Sequence, residues 1–244
     1  MMAVELQHVT KRYGSRAVLD DVSFAVPKGS ALVILGRSGT GKSVTLRHIV
    51  GLVRPDRGSV MVDGADISTL RGKQLTGARR RIGFLFQNAA LFDSISVGEN
   101  VAFPLRRHTS LPDRDIRERA RSKLAQVGLE ADFNRMPAAL SGGMRKRAGL
   151  ARAMALDPPL LLVDEPSSGL DPITADEIDD LLLSLKKAGT TLVIVTHNIA
   201  SARKLADRLL MLDSGHIVAE GTLEDFQRST HPLVRAFITS ENAG

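Results

Sequence analysis

Gly36-Arg37-Ser38-Gly39-Thr40-Gly41-Lys42-Ser43 decides how this chain is read. A glycine, four residues, then Gly-Lys-Ser is the pattern of a phosphate-binding loop. The apolar run Ala31 to Leu35 ahead of it reads as a buried strand, and Lys42 to about Val50 as a helix. Glycines at 36, 39 and 41 permit positive φ and let the backbone approach a ligand closely. The N–H groups of the loop and of the helix start then form a nest for anionic oxygens. Lys42 supplies a point charge for the β- and γ-phosphates, and the Ser43 hydroxyl suits Mg²⁺.

On the N-terminal side, Val4 to Val9 and Val22 to Val26 alternate apolar and polar residues, as half-buried antiparallel strands do. Gly58 to Val62 reads as another strand with a turn at Asp63-Gly64, and Ile82 to Phe86 as a buried strand ending at Gln87. From 88 to 157 no strand pattern occurs. Helix patterns fit 96–107, 113–127 and 142–156, with breaks expected at Pro104, Pro112 and Pro137. Strand and helix then alternate again: Leu160 to Val163, the amphipathic Ile173 to Ala188, and Thr191 to Val195. Such uninterrupted apolar strands imply a parallel sheet covered on both faces. Arg208 to Leu212 and His216 to Ala219 form an expected hairpin, and His231 to Phe237 a short amphipathic helix. The end of the chain reads either as frayed or as packing Leu233, Val234 and Phe237 on a neighbouring subunit.

The chain has 244 residues, 43% of them apolar, a net charge of +6 and no cysteine. The last excludes disulfides and Cys-ligated metal sites. The N-terminus has no signal-peptide pattern, and no uncharged apolar run nears the roughly 18 residues of a membrane span. The expectation is a chain soluble by itself that docks on something in the membrane. Arg79-Arg80-Arg81 and Arg145-Lys146-Arg147 are basic clusters. They read as a solvated face, as nucleic-acid contact or as contact with the anionic cytoplasmic leaflet. With aromatics at 4% and no Trp, a stacking platform for single-stranded nucleic acid is not expected.

Asp164-Glu165 follows the 160–163 strand, where ligands bind in open α/β sheets. One carboxylate is placed to hold Mg²⁺, the next to orient and deprotonate water. Gln87 ends the 82–86 strand, and His197 closes the 193–195 strand at the same sheet edge. Alone, each reads as an ordinary strand-end residue. Beside the γ-phosphate, Gln87 is an expected ligand of Mg²⁺ or water, and His197 a hydrogen-bonding partner. Leu140-Ser141-Gly142-Gly143-Met144 opens a long helix, with Ser141 as N-cap and a second anion site behind it. Two copies arranged head to tail would close this site over the partner's γ-phosphate.

Taken together, these motifs, in this order, resemble the nucleotide-binding subunit of ATP-binding cassette (ABC) transporters over essentially the whole chain. Tyr13 stands where that family stacks an aromatic on adenine. Gly36 to Ser43 matches the Walker A loop, Gln87 the Q-loop, Leu140 to Met144 the signature and Leu160 to Glu165 the Walker B strand. Ser168 to Asp171 matches the D-loop, and His197 the switch histidine. Met144 departs from the usual signature Gln. With Phe84 to Phe92, Asn100 to Arg106, Met144 to Ala153 and Asp164 to Thr174, the chain looks like the Mla-type ATPases of MCE phospholipid-transport systems.

The resemblance implies an α/β fold: a P-loop NTPase core with a mostly parallel sheet, an N-terminal antiparallel β subdomain and an inserted α-helical subdomain. It implies one ABC ATPase domain over 1–244, with core at 1–87 and 158–230, signature subdomain at 88–157 and extension at 231–244. It implies ATP contacts from Tyr13, Gly36, Ser38, Gly39, Gly41, Lys42, Ser43, Thr45, Ser141, Gly142, Gly143 and Asp171. Mg²⁺ falls to Ser43, Gln87 and Asp164, and catalysis to Glu165, His197 and Gln87. The implied cofactors are ATP and Mg²⁺. The implied partners are a second ATPase subunit, an integral-membrane permease, a periplasmic MCE-domain protein and, in some systems, a STAS-domain subunit, with no nucleic acid. The implied location is peripheral, on the cytoplasmic face of the inner membrane.

Overall fold

The structure is a computed structural model that describes residues 1–239. In chain order the strands are β1 (Met2–Tyr13), β2 (Arg16–Pro27), β3 (Ala31–Leu35), β4 (Arg57–Val62), β5 (Ala65–Asp66), β6 (Ile82–Leu85), β7 (Leu160–Asp164), β8 (Thr191–Val195), β9 (Arg208–Asp213) and β10 (His216–Gly221). The helices are α1 (Lys42–Ile49), α2 (Gly72–Arg79), α3 (Val97–His108), α4 (Asp113–Gln126), α5 (Gly142–Ala153), α6 (Pro172–Lys187), α7 (Ile199–Leu205), α8 (Leu223–Arg228) and α9 (Pro232–Thr239).

The strands form two sheets. One is antiparallel, in the order β2-β1-β4-β5; the other runs β10-β9-β3-β8-β7-β6. In the second, β9, β3, β8, β7 and β6 are mutually parallel and β10 is an antiparallel edge. Its central strands are apolar throughout because each face has its own core. Val33, Leu35, Leu161, Val163, Leu192 and Ile194 pack toward α3, α4, α5 and α6. Leu32, Ile34, Leu160, Leu162, Val193 and Val195 pack toward α1 and the antiparallel sheet, against Leu46, Ile49, Val4 and Leu6. Alternate residues of one strand thus enter two cores, which is why no polar position interrupts the run.

Residues 88–157 contain no strand. Ser96 and Ser141 cap α3 and α5 through their side chains, accepting from Glu99 N and Met144 N. The breaks expected at Pro112 and Pro137 fall between helices, where Pro112 is the N-cap of α4 and Pro137 opens a short 3₁₀ turn. Pro104 does not break its helix; it lies inside α3. The ring removes one i→i−4 bond, but Val97, Val101, Ala102 and Leu105 bury the same helix face and hold it. The polar stretch before β6 contains α2, which buries no residue completely. On the far side of the sheet, Asp179 of α6 accepts a hydrogen bond from Ser201 Oγ of α7 at 2.6 Å. Its Oδ1 has no hydrogen-bonding partner among the described residues, and burial pushes its carboxyl up from the usual range.

Val234 of α9 is fully buried in the protomer's own core, which also holds Phe226 of α8. The C-terminal segment therefore packs on its own chain through Thr239; residues 240–244 lie outside the described residues.

Candidate nucleotide site

The order β3-β8-β7-β6 places four sequence motifs side by side at the carboxyl ends of adjacent strands. The glycine loop leaves β3, His197 follows β8, Asp164 and Glu165 end β7, and Gln87 follows β6. Strands are about 4.8 Å apart, so the row spans roughly 14 Å. A cavity of about 650 Å³ opens there. Ser38, Gly39, Gly41, Lys42 and Ser43 line one side, and Gln87, Glu165 and His197 the other.

The loop is shaped by close approach. A Cβ at Gly36 would lie 2.3 Å from the Leu212 carbonyl oxygen, and one at Gly41 would lie 2.5 Å from that of Val18. Both positions must therefore be glycine for the loop to nest against β9 and β2. A Cβ at Gly39 would meet nothing, so the loop's open side faces the cavity there. Lys42 Nζ donates to the carbonyls of Gly36 at 2.7 Å and Arg37 at 3.0 Å, and lies 3.7 Å from Glu165 Oε1. Burial pushes its pKa down, against the pull of Glu165 and Asp164.

Ser43 Oγ donates to Asp164 Oδ1 at 2.8 Å. Burial pushes the Asp164 carboxyl up, and the Ser43 hydrogen bond opposes the shift. Among the described residues no group of three or more His, Cys, Asp or Glu side chains is arranged to hold a metal ion by itself. One hydroxyl, one carboxylate and an amide nonetheless fit Mg²⁺, which keeps waters and takes phosphate oxygens. Glu165 is 7% exposed, and its Oε2 lies 2.8 Å from His197 Nδ1. Its φ is +48°, a left-handed conformation rare for a residue with a side chain. The Glu165 N–H donates to Val195 O, and its carbonyl accepts from Lys146 Nζ at 2.7 Å and Ser168 Oγ at 3.1 Å.

Several expected residues lie elsewhere. Thr45 is fully buried, and both its N–H and its hydroxyl donate to the Gly41 carbonyl. It faces the core because it sits inside α1; Val44 lines the cavity instead. Asp171 caps α6, with Oδ1 accepting from Thr174 N and Oδ2 from Thr174 Oγ1. Gly143 packs on Thr174, where a Cβ would come within 2.3 Å of Cγ2. Ser141 and Gly142, at the tip of α5, are likewise outside the cavity of this chain. Tyr13 is 51% exposed at the hairpin end, paired with Arg16. In sequence Arg16, Val18 and Arg37 carry no separate role, and Phe237 reads as part of a frayed end or as packing on a neighbouring subunit; all four line the cavity. Arg16 reaches the loop itself, donating to the Gly39 carbonyl at 3.2 Å. Its place next to the lone tyrosine was the available signal.

A second concavity, about 580 Å³, lies beside Gln87 between α2, β6, α3 and α5. Phe84 and Phe86 stack at 4.1 Å there, and Phe92 and Phe103 lie 5.0 Å apart, the latter two exposed. The loop that forms its rim has positive φ at Ala89 and Ala90. Arg152 of α5 donates to both their carbonyls at 2.8 Å, and Asn100 of α3 binds the Phe92 backbone through its side chain.

A phosphate nest after β3 and an acid pair at the end of β7, one strand away across β8, define a P-loop nucleotide hydrolase. Comparison with known proteins narrows the class. The ABC transporter family model matches residues 19–168, and the chain belongs to that family. It is an ATP-binding, ATP-hydrolysing subunit, of the kind that dimerises beside a membrane permease. It is 44% identical over 244 residues to the probable ribonucleotide transport ATP-binding protein mkl of Mycobacterium tuberculosis, covering 100% of this chain and 68% of mkl. It is 40% identical over 236 residues to the intermembrane phospholipid transport system ATP-binding protein MlaF of Escherichia coli, covering 96% and 88%. In three dimensions it is similar to MJ0796, a dimeric bacterial ABC transporter cassette: TM-score 0.85, 36% identity, 90% of this chain and 98% of that one. The dimeric post-hydrolysis state of MJ0796 with ADP and Pi gives a TM-score of 0.84 at the same identity and coverage. Among the described residues no helix is long and apolar enough to cross a membrane.

Proposed function

We propose that this chain is the ATPase of a phospholipid transporter, closing as a two-fold dimer on two MgATP and driving an inner-membrane permease from the cytoplasmic face. The Glu165–His197 contact at 2.8 Å carries the catalytic part. It puts a carboxylate, oriented by an imidazole, next to the phosphate nest, where a base must stand to take a proton from water. Ser43, Asp164 and Gln87 would hold Mg²⁺, which when bound would offset charge on the transferring phosphoryl group. Lys42 and the N–H groups of Ser38 to Ser43 hold the β- and γ-phosphates, and Tyr13 and Arg16 flank the base. Ser141 of the partner subunit completes the site, which accounts for a capped helix tip outside its own cavity.

The chain acts as one domain, with 88–157 as the part that moves against 1–87 and 158–230. The aromatic groove beside Gln87 takes the permease, so that Gln87 reports its position to the site. A periplasmic MCE-domain protein and a STAS-domain subunit complete the assembly. Lipid as cargo rests on the motifs shared with Mla-type ATPases and on the likeness to MlaF. The name of mkl supports a second reading, ribonucleotide cargo. Labelled phospholipid and labelled ribonucleotide, offered to the reconstituted permease complex with ATP, separate the two; ATP-dependent movement of ribonucleotide alone ends the lipid reading. For the chemistry, Glu165→Gln slows hydrolysis by roughly 10²–10⁴-fold while ATP still binds. Wild-type turnover in that variant refutes the base assignment.

A further inference from the structure

One buried cation has no part in that chemistry. Lys146, on α5, is 6% exposed and forms no ion pair among the described residues. Its Nζ donates to the Glu165 carbonyl at 2.7 Å and to Ser168 Oγ at 3.2 Å. Burial pushes its pKa down to about 8, against the attraction of Glu165 and Asp164, so the ammonium is held charged at neutral pH at a cost in stability. An apolar side chain of similar length would fill the same space without that cost. Stability therefore does not explain this lysine.

What it touches does. Glu165 sits at φ +48°, a strained backbone for a side-chain-bearing residue, and such strain persists only where surrounding contacts over-determine it. On one side Val195 O holds the Glu165 N–H at 2.8 Å; on the other its carbonyl is held by Lys146 and by Ser168. We infer that Lys146 is a positioning residue, which fixes the Glu165 backbone in its left-handed turn so that the carboxylate stays between His197 and Lys42. The inference rests on the reading of Glu165 as the base. It adds a direction of influence. Ser141 lies five residues before Lys146, about 7.5 Å along the helix axis. Docking of the α5 tip on one nucleotide is therefore felt at the base that serves the other nucleotide of the dimer.

The test compares Lys146→Met and Lys146→Gln in the full chain, reading kcat, KM for ATP and the melting midpoint of nucleotide-free protein at pH 7. Lys146→Met lowers kcat by about tenfold, leaves KM within about twofold, and melts at or above the wild-type midpoint because a buried charge is gone. Lys146→Gln, which keeps an N–H donor, recovers most of the lost kcat. A Lys146→Met protein with wild-type kcat overturns the inference. So does one that fails to fold or melts well below wild type, and so does a Lys146→Gln protein no faster than Lys146→Met. Turnover in Glu165→Gln sinks the proposed function. A dead Glu165→Gln beside an unimpaired Lys146→Met sinks only this inference.

Discussion

Two helix N-termini in this molecule are built for anions, and they are built differently. At α1 the tip is wrapped by the glycine loop, Lys42 is drawn in beneath it, and Ser43 and Asp164 stand beside it. At α5 the tip has a serine cap satisfied by its own Met144 N–H and sits outside the cavity. The first is a complete receptor for a polyphosphate. The second lies outside its own cavity, and in the proposed dimer a second copy supplies what it closes over. A helix dipole thus does not mark a site by itself; the cation and the acids around it decide what the site can do.

Variants can break or sharpen this contrast. The largest effect belongs to Lys42→Ala, which weakens ATP binding to the isolated protomer by about 10²-fold, since it removes a desolvated charge partner of the phosphates. Equilibrium titration reads it, and unchanged affinity would dissolve the distinction. Gly143→Ala forces a Cβ into Thr174 and destabilises the fold by about 1–3 kcal/mol in denaturant unfolding. Ser141→Ala costs about 1 kcal/mol of cap energy. It leaves protomer ATP affinity as it was and lowers turnover, so a loss of affinity in the monomer would place this serine in its own site. The smallest effect separates the two raised carboxyls, Asp164 and Asp179. Each is buried, but only Asp164 faces a hydroxyl and a lysine that belong to the nest. An acid whose folded pKa is raised stabilises the fold at low pH, and that contribution is lost as pH rises through the folded value. Asp179→Asn therefore matches wild type in acid and exceeds it in thermal midpoint at pH 7.5. Mg²⁺ leaves this difference unchanged; parallel melting curves across pH would remove the argument.

The central sheet was legible because burial on both faces leaves nothing but apolar residues in β3, β7 and β8. The glycine loop, the acid pair and His197 were legible because each follows one of those strands. Less was readable where the signal was short or non-local. The helices α2, α7 and α8 span 8, 7 and 6 residues, too few for a 3.6-residue period to declare itself. Pro104 read as a break because its cost is local, whereas the core that overrides it is assembled from three helices. The resemblance implied an ATP contact for Thr45, but two residues past Ser43 along a helix turn a side chain by about 200°, and Thr45 is buried. Lys146 looked like one member of a basic Arg-Lys-Arg cluster facing solvent, nucleic acid or an anionic membrane. Its partner is a main-chain carbonyl 19 residues away, which no side-chain pattern encodes.

The twelve residues of α5 have three moorings: the exposed tip at Ser141, Lys146 on the Glu165 carbonyl, and Arg152 on the carbonyls of Ala89 and Ala90. They lie along a strut about 18 Å long. Tied at its middle and its C-terminal end, and in the proposed dimer at its tip as well, the strut cannot tilt at one tie without loading the others. In the proposed assembly, force applied in the aromatic groove reaches Glu165 through this one member, without any long relay of side chains.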